Sequence, residues 1–222
     1  MTFWSLLERP ARESLARVGG REGFDVGATL LKEYDVTDHL LVIERGCVKV
    51  TASTSDGYEA VLALRGVGDL LGEQAGADGR PRSASVVALT YVSALSLPLR
   101  AFEGLMKTDP SIARALRRVQ SERLRQADRR GVAAGGEDTR RRLAALLLDL
   151  GHRYGRAAAA GGVEITLPLS QDDLAGLVLS SRRTVSRILE QWRGQGWLAT
   201  GRLRLLVHEP DALKREAGEG PA

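Results

Sequence analysis

The chain has 222 residues, 43% of them hydrophobic, with 32 Lys+Arg against 28 Asp+Glu and a single cysteine, Cys47. That length can bury a sizeable core and hold one or two domains, and no apolar run approaches the roughly 20 residues a membrane-spanning helix needs. One cysteine excludes an intramolecular disulfide and a multi-cysteine metal or iron–sulfur site within one chain; with no charged-then-apolar leader at Met1–Ser5, the cytoplasm is the expected compartment.

Phe3 to Val18 reads as a helix, with Leu6, Leu7 and Leu15 set among Arg and Glu. The pattern then changes to short apolar runs punctuated by glycine. Phe24–Leu31, Leu40–Val50, Tyr58–Leu64 and Ala84–Leu97 suit strands of a compact antiparallel structure. Gly46, Gly57, Gly66, Gly68 and Gly72 supply the turns between them. Cys47 is expected to pack in a strand as a small hydrophobe.

Asp109-Pro110 opens a long helix expected to run to about Arg130, with Asp109 as cap and Pro110 in the first turn. Ile112, Leu116, Val119, Arg123 and Ala127 approximate one seam, which a second copy of the chain could cover. Gly135-Gly136 is read as a helix break and a hinge, after which Asp138 caps a helix through Leu143, Leu146, Leu147 and Leu150. Ala157 to Gly162 reads as a loop of small residues. These punctuation points divide the chain into 1–108, 109–136 and 137–222.

Leu169 to Leu189 reads as two short helices joined by a tight turn. Ser170 is placed to cap the first, with Gln171 following. In the second, Val185, Ile188, Leu189 and Trp192 fall at i, i+3, i+4 and i+7, a stripe that faces a core. Arg182, Arg183, Ser186, Arg187 and Glu190 fall on the other side. Between Ser180 and Arg204 six arginines stand against one acid, Glu190. An arginine fork bonds O6 and N7 of guanine together, so such a helix fits the major groove. Trp197–Thr200 and Leu203–Val207 flank Gly201-Arg202 as a β-hairpin, the wing of a winged helix-turn-helix. Leu179 stands in the inter-helix turn where glycine is usual; a leucine held there at positive φ costs about 1 kcal/mol or more, so this turn is expected to be built differently.

Gly72-Glu73 followed by Arg82-Ser83-Ala84 is the second motif with chemistry. An arginine offers a bidentate donor to an oxyanion, a serine hydroxyl adds a donor, and a glutamate is an acceptor. Together with the helix-turn-helix, this order of β domain, long helix, hinge and winged helix resembles the cyclic-AMP receptor protein / FNR family of bacterial transcription regulators, over nearly the whole chain. Gly27, Gly46 and Gly68-Asp69 stand where that family's β-roll turns need them. The resemblance implies an α+β fold: an N-terminal cyclic-nucleotide-binding β-roll, a long dimerisation helix, and a C-terminal winged helix-turn-helix.

The resemblance implies a homodimer on a pseudo-palindromic duplex DNA site, an effector in the β-roll, and RNA polymerase as a partner. It places Leu62, Ala63, Leu71, Gly72, Glu73, Arg82, Ser83, Arg123, Ala127 and Asp128 around the effector. It places Ser170, Gln171, Ser181, Arg182, Arg183, Thr184, Ser186, Arg187 and Arg202 against DNA, with Gly135, Gly136 and Asp138 at the hinge. The sequence departs from the family pattern at two places. Ala127-Asp128 replaces a Thr-Ser pair that faces adenine in the cyclic-AMP receptor protein, so cyclic GMP and cyclic di-GMP stand beside cyclic AMP as candidates; the Asp128 carboxylate matches the paired N–H donors of guanine. Arg183 replaces a glutamate that reads cytosine, so the half-site is expected to differ.

Two other readings fit parts of the chain: a DNA-binding regulator with a vestigial nucleotide pocket, and a nucleotide-binding module that acts on a protein partner. An enzyme is not expected. The chemistry of a metal-dependent cupin enzyme wants two or three histidines and a carboxylate converging on one metal, whereas His39, His152 and His208 are far apart in sequence.

Overall fold

A computed structural model describes residues 1–53, 59–158, 161–201 and 204–218. The chain divides into two compact units, 1–127 and 128–222.

The first unit opens with a single 3-10 turn at Trp4–Leu6 and helix α1 (Arg9–Val18). Eight strands follow: β1 (Gly20–Phe24), β2 (Thr29–Leu31), β3 (His39–Arg45), β4 (Val48–Ser53), β5 (Glu59–Arg65), β6 (Leu70–Leu71), β7 (Ser85–Ala88) and β8 (Val92–Pro98). A short helix α2 (Glu73–Asp78) lies between β6 and β7, and α3 (Leu99–Thr108) and the long α4 (Pro110–Gly136) follow β8. The strands form two antiparallel four-stranded sheets, ordered β1-β8-β3-β6 and β2-β7-β4-β5.

Three of the apolar runs read as single strands therefore each hold two strands, one per sheet. Phe24–Leu31 turns at Gly27 and Leu40–Val50 turns at Gly46, both at positive φ. At Gly46 a Cβ would lie 2.2 Å from the carbonyl oxygen of Tyr91, so only glycine makes this corner. Ala84–Leu97 turns at Leu89–Tyr91 without glycine, which is why the corner is silent in the sequence. Gly57 and Tyr58 lie outside the described residues.

The period-two alternation of strands places side chains on opposite faces. On β3, Leu41 and Ile43 face the second sheet and join Leu31, Val48, Val86, Val92 and Ala94 in the core between the sheets. Leu40 and Val42 face outward, and there Leu95, Leu97 and Leu70 meet Phe3, Leu7, Ala11 and Leu15, Phe102 of α3, and Ile112, Ala115 and Val119 of α4. Each valine, leucine, isoleucine or phenylalanine among them contributes about 1.5–3 kcal/mol by leaving water. The apolar start of the α4 seam is thus covered by the chain's own β-roll: Ile112 and Val119 are buried and Leu116 packs against them. Among the exposed apolar residues of α4 are Leu124 and Val132.

α4 runs beyond the expected end near Arg130, takes both Gly135 and Gly136 into its last turn and ends there. Glycine costs about 1 kcal/mol against alanine inside a helix, a smaller matter in a terminal turn. Asp138 then caps α5 (Thr139–Tyr154), its carboxylate accepting from the Arg140 N–H. The expected small-residue loop starts at the last residue of β9 (Gly155–Ala157) and stops just before β10 (Val163–Ile165), and the two strands pair with each other. Helices α6 (Gln171–Leu177) and α7 (Arg182–Gly194), strands β11 (Leu198–Gly201) and β12 (Arg204–Val207), and helix α8 (Pro210–Ala217) complete the second unit. Its sheet runs β11-β12-β10-β9. Trp192 is fully buried and stacks on Trp197, with the Arg140 guanidinium 5.7 Å from its ring.

Candidate functional site

Glu73 begins α2 directly after Gly72, whose φ is +82°. A Cβ on Gly72 would stand 2.6 Å from Nη1 of Arg82, so glycine lets the guanidinium cross the backbone here. Glu73 is buried and ion-paired with Arg123, which arrives from α4. Nη2 of Arg123 also donates to the Leu70 carbonyl at 2.7 Å and lies 3.8 Å from Asp69. The structure therefore brings together a carboxylate and an arginine that stand fifty positions apart in sequence. Both are largely shielded from water, and removing either partner of such a pair leaves an uncompensated buried charge.

Arg82 differs from the expected open fork. It is only 3% exposed, and each guanidinium nitrogen donates to the protein: Nε to Thr37 Oγ1 and Nη1 to the Gly72 carbonyl, both at 2.8 Å, and Nη2 to the His39 carbonyl. Its backbone is anchored as well, the N–H donating to Asp35 and the carbonyl accepting from Tyr34. Burial lowers the Arg82 pKa, while the charges of Glu73 and Asp38 act to raise it. Burial, then the Arg82 charge, lowers the pKa of His39. A guanidinium carries five N–H groups, so three bonds do not exhaust it, but its inward orientation is set by the protein. Thr37 and the His39 carbonyl belong to no motif; only the fold sets the start of β3 beside the cassette.

The other residues assigned to this site scatter more widely. The Ser83 hydroxyl donates to Gln74 Oε1 at 2.7 Å. Leu71 is buried in the core between the sheets, not set aside as a pocket wall, whereas Leu62 is exposed and Ala63 half-buried. Ala127 and Asp128 are both exposed on α4.

In the second unit, Ser170 and Asp173 form a reciprocal capping box at the start of α6. The Ser170 hydroxyl accepts from the Asp173 N–H at 3.1 Å and Asp173 accepts from the Ser170 N–H at 2.8 Å. Gln171 is the first helical residue. Ser181 caps α7 by accepting from the Thr184 N–H at 3.1 Å, and the two hydroxyls lie 2.9 Å apart. Each cap contributes about 1 kcal/mol. The stripe Val185, Ile188, Leu189 and Trp192 is buried, while Arg182, Arg183, Arg187 and Glu190 are exposed and Ser186 half-exposed. Arg182 pairs with Asp172 at 3.4 Å with both side chains about two-thirds exposed, a contact worth at most about 1 kcal/mol and easily exchanged for a ligand. Arg183 and Arg187 present their forks on the same open face. Arg202 lies outside the described residues; the β11–β12 hairpin that bears it is present on both sides.

One feature escaped the motif reading. Glu164 on β10 holds Arg156 of β9 and Arg204 of β12 at once, and hydrogen bonds from Arg156 and then Arg204 lower its pKa. Cross-strand register, not local sequence, makes that trio. Leu179 has a φ of +51°, so the turn keeps left-handed geometry with a leucine in it.

Comparisons with known proteins find a family model for each part of the chain. The family model described as Cyclic nucleotide-binding domain matches residues 21–109, and the Crp-like helix-turn-helix domain matches 141–216. The CRP-like cAMP-activated global transcriptional regulator of Mycobacterium tuberculosis is 31% identical over 194 residues, covering 87% of this chain and 86% of that protein. The Cyclic AMP receptor protein of Thermus thermophilus is 29% identical, covering 89% and 88%. A solved CRP-family transcriptional regulator from Thermus thermophilus superposes with a TM-score of 0.77 at 25% identity, covering 89% of this chain and 96% of that one. With a β-roll carrying the cassette, a long helix and a capped helix-turn-helix with an arginine face, the chain belongs to the CRP/FNR family of bacterial transcription regulators.

Proposed function

We propose that this regulator acts as a homodimer whose β-roll binds a cyclic nucleoside monophosphate at Glu73, Arg82 and Ser83, and whose α7 reads the major groove through Arg182, Arg183 and Arg187. The buried Glu73–Arg123 pair beside the inward-held Arg82 is the observation that carries the effector half. It holds a carboxylate acceptor next to Gly72, whose carbonyl accepts from the Arg82 guanidinium, and these are the two groups a ribose cyclic phosphate needs. The cyclic phosphate takes Arg82 by replacing the carbonyls of Gly72 and His39, and Ser83 exchanges Gln74 for a phosphate oxygen. Two relatives bearing cyclic AMP in their names support that ligand for this chain.

The second copy pairs along the face of α4 that carries Leu124, Asp128, Gly131 and Gly135, all exposed and three or four residues apart in turn. Asp128 thus stands near the dimer seam, where it would accept from guanine. DNA-bound dimers of this kind recruit RNA polymerase. Gly135, Gly136 and Asp138 form the hinge at the junction of α4 and α5.

Calorimetric titration of the purified protein with cyclic AMP, cyclic GMP and cyclic di-GMP tests the effector half, with Glu73→Gln as the control. Binding of a cyclic mononucleotide that weakens by about tenfold or more in Glu73→Gln supports it. No binding of any of them leaves a ligand-independent regulator. If cyclic GMP binds no better than cyclic AMP, Asp128 has no part in base recognition.

A further inference from the structure

The end of α6 poses a question of hydrogen bonding. The last carbonyls of a helix have no intrahelical partner, and a turn that must aim the next helix needs them satisfied. Here the carbonyls of Leu177, Val178 and Leu179 all point to arginines that stand 36 to 47 residues earlier in the chain. Nη2 of Arg130, on the last part of α4, donates to Leu177 at 2.8 Å. Nε of Arg142, in the first turn of α5, donates to Val178 at 2.9 Å, and its Nη2 makes a longer 3.5 Å contact with Leu179.

The other side of Arg142 faces the junction between α4 and α5. Its Nη1 donates to Ala133 at 3.1 Å and to Glu137, and its Nη2 to Thr139 Oγ1 at 3.3 Å. Thr139 Oγ1 in turn lies 3.2 Å from Ser180 Oγ, in the same turn. One guanidinium therefore bridges the end of α4, the start of α5 and the residues between α6 and α7. Leu179 supplies the reason that a clasp is needed: its left-handed backbone is unfavourable for leucine, and strain of this kind persists only where the surroundings enforce it.

We infer that Arg130 and Arg142 are positioning residues for DNA recognition, fastening the turn 177–180 to the segment 130–142 so that the conformation of this segment sets the pose of α7. Neither lies on the recognition helix. They act by planar, multidentate donation to carbonyls, which a lysine ammonium cannot reproduce from one position.

The test uses the full-length protein, a duplex selected from a random-sequence pool by the wild type, and a scrambled duplex of equal length. Fluorescence anisotropy over a salt series gives both affinities. Arg142→Gln and Arg130→Gln are each expected to lower affinity for the selected duplex by about fivefold to thirtyfold. Affinity for the scrambled duplex and the salt slope should stay within about twofold, because no phosphate contact is lost. Arg142→Lys should not restore the preference. Amide hydrogen exchange at Leu179–Ser181 should quicken in each variant relative to the rest of α7. If Arg142→Gln does not fold, Arg130→Gln carries the test alone. An unchanged ratio of selected to scrambled affinity in the folded variants overturns the inference and leaves the arginines as helix caps. An equal loss on both duplexes overturns it too, since they would then be phosphate contacts, and so does full rescue by lysine.

Discussion

Leu179 shows how one residue can be both legible and costly. At φ +51° and about half exposed, it has little burial to offset its backbone geometry. Left-handed backbone costs roughly 1–2 kcal/mol for a residue with a Cβ, and glycine gives back part of that gain through its freer unfolded chain. Leu179→Gly is therefore expected to stabilise the second unit by about 0.5–1 kcal/mol, read as a higher urea midpoint at constant slope. A lower midpoint would show that the leucine side chain contributes more than its exposure suggests. Arg82 teaches the reverse. Its residue type and its place after the glycine-rich turn were legible, but its orientation was not, because Thr37 and the carbonyls of Gly72 and His39 are brought to it by pairing across the fold.

For the elements, the recognition helix was the easiest to read. Its buried stripe has the 3.6-residue period, its cap is a serine three residues before a threonine N–H, and its arginines fall on one side. Arg187→Ala is expected to cost about 1–3 kcal/mol on the cognate duplex and to relax preference at one base position, measured by titrating single-base variants of the site. A uniform loss over all the variants would mean that Arg187 meets only phosphate. The strands were harder. Alternation predicts that a segment is extended, yet it does not mark where the chain leaves one sheet for the other. Gly27 and Gly46 signal two of those corners through positive φ, and the corner at Leu89–Tyr91 has no such signal. The long helix continues past the expected end near Arg130 for a related reason: glycines weaken a helix without being excluded from it, and both fit its last turn.

At the level of the whole molecule, an effector site and a DNA-reading helix in one chain imply a coupling free energy between them. Saturating cyclic nucleotide is expected to change affinity for the selected duplex by about 5- to 150-fold, the range of 1–3 kcal/mol common for linked sites. By reciprocity the duplex should change nucleotide affinity by the same factor, which calorimetry with preformed protein–DNA complex checks. A change below about twofold in both directions would mean independent sites. The order of domains and the identity of the two motifs were visible in the sequence because local pattern encodes them. The Glu73–Arg123 pair was only implied by resemblance, since it depends on where α4 lies against the β-roll.

That placement of α4 has a practical side. The matched nucleotide-binding segment, 21–109, contains both sheets but omits α1 and all of α4. Phe3, Leu7, Ala11 and Leu15 on one side and Ile112, Ala115 and Val119 on the other cover the outward face of the first sheet. A sensor module cut at the segment's borders would bare Leu40, Val42, Leu95 and Leu97 to water, and it would discard Arg123 while keeping Glu73. Anyone transplanting this β-roll onto another output domain must carry the N-terminal helix and the opening turns of the long helix with it: the unit of recognition and the unit of folding have different borders.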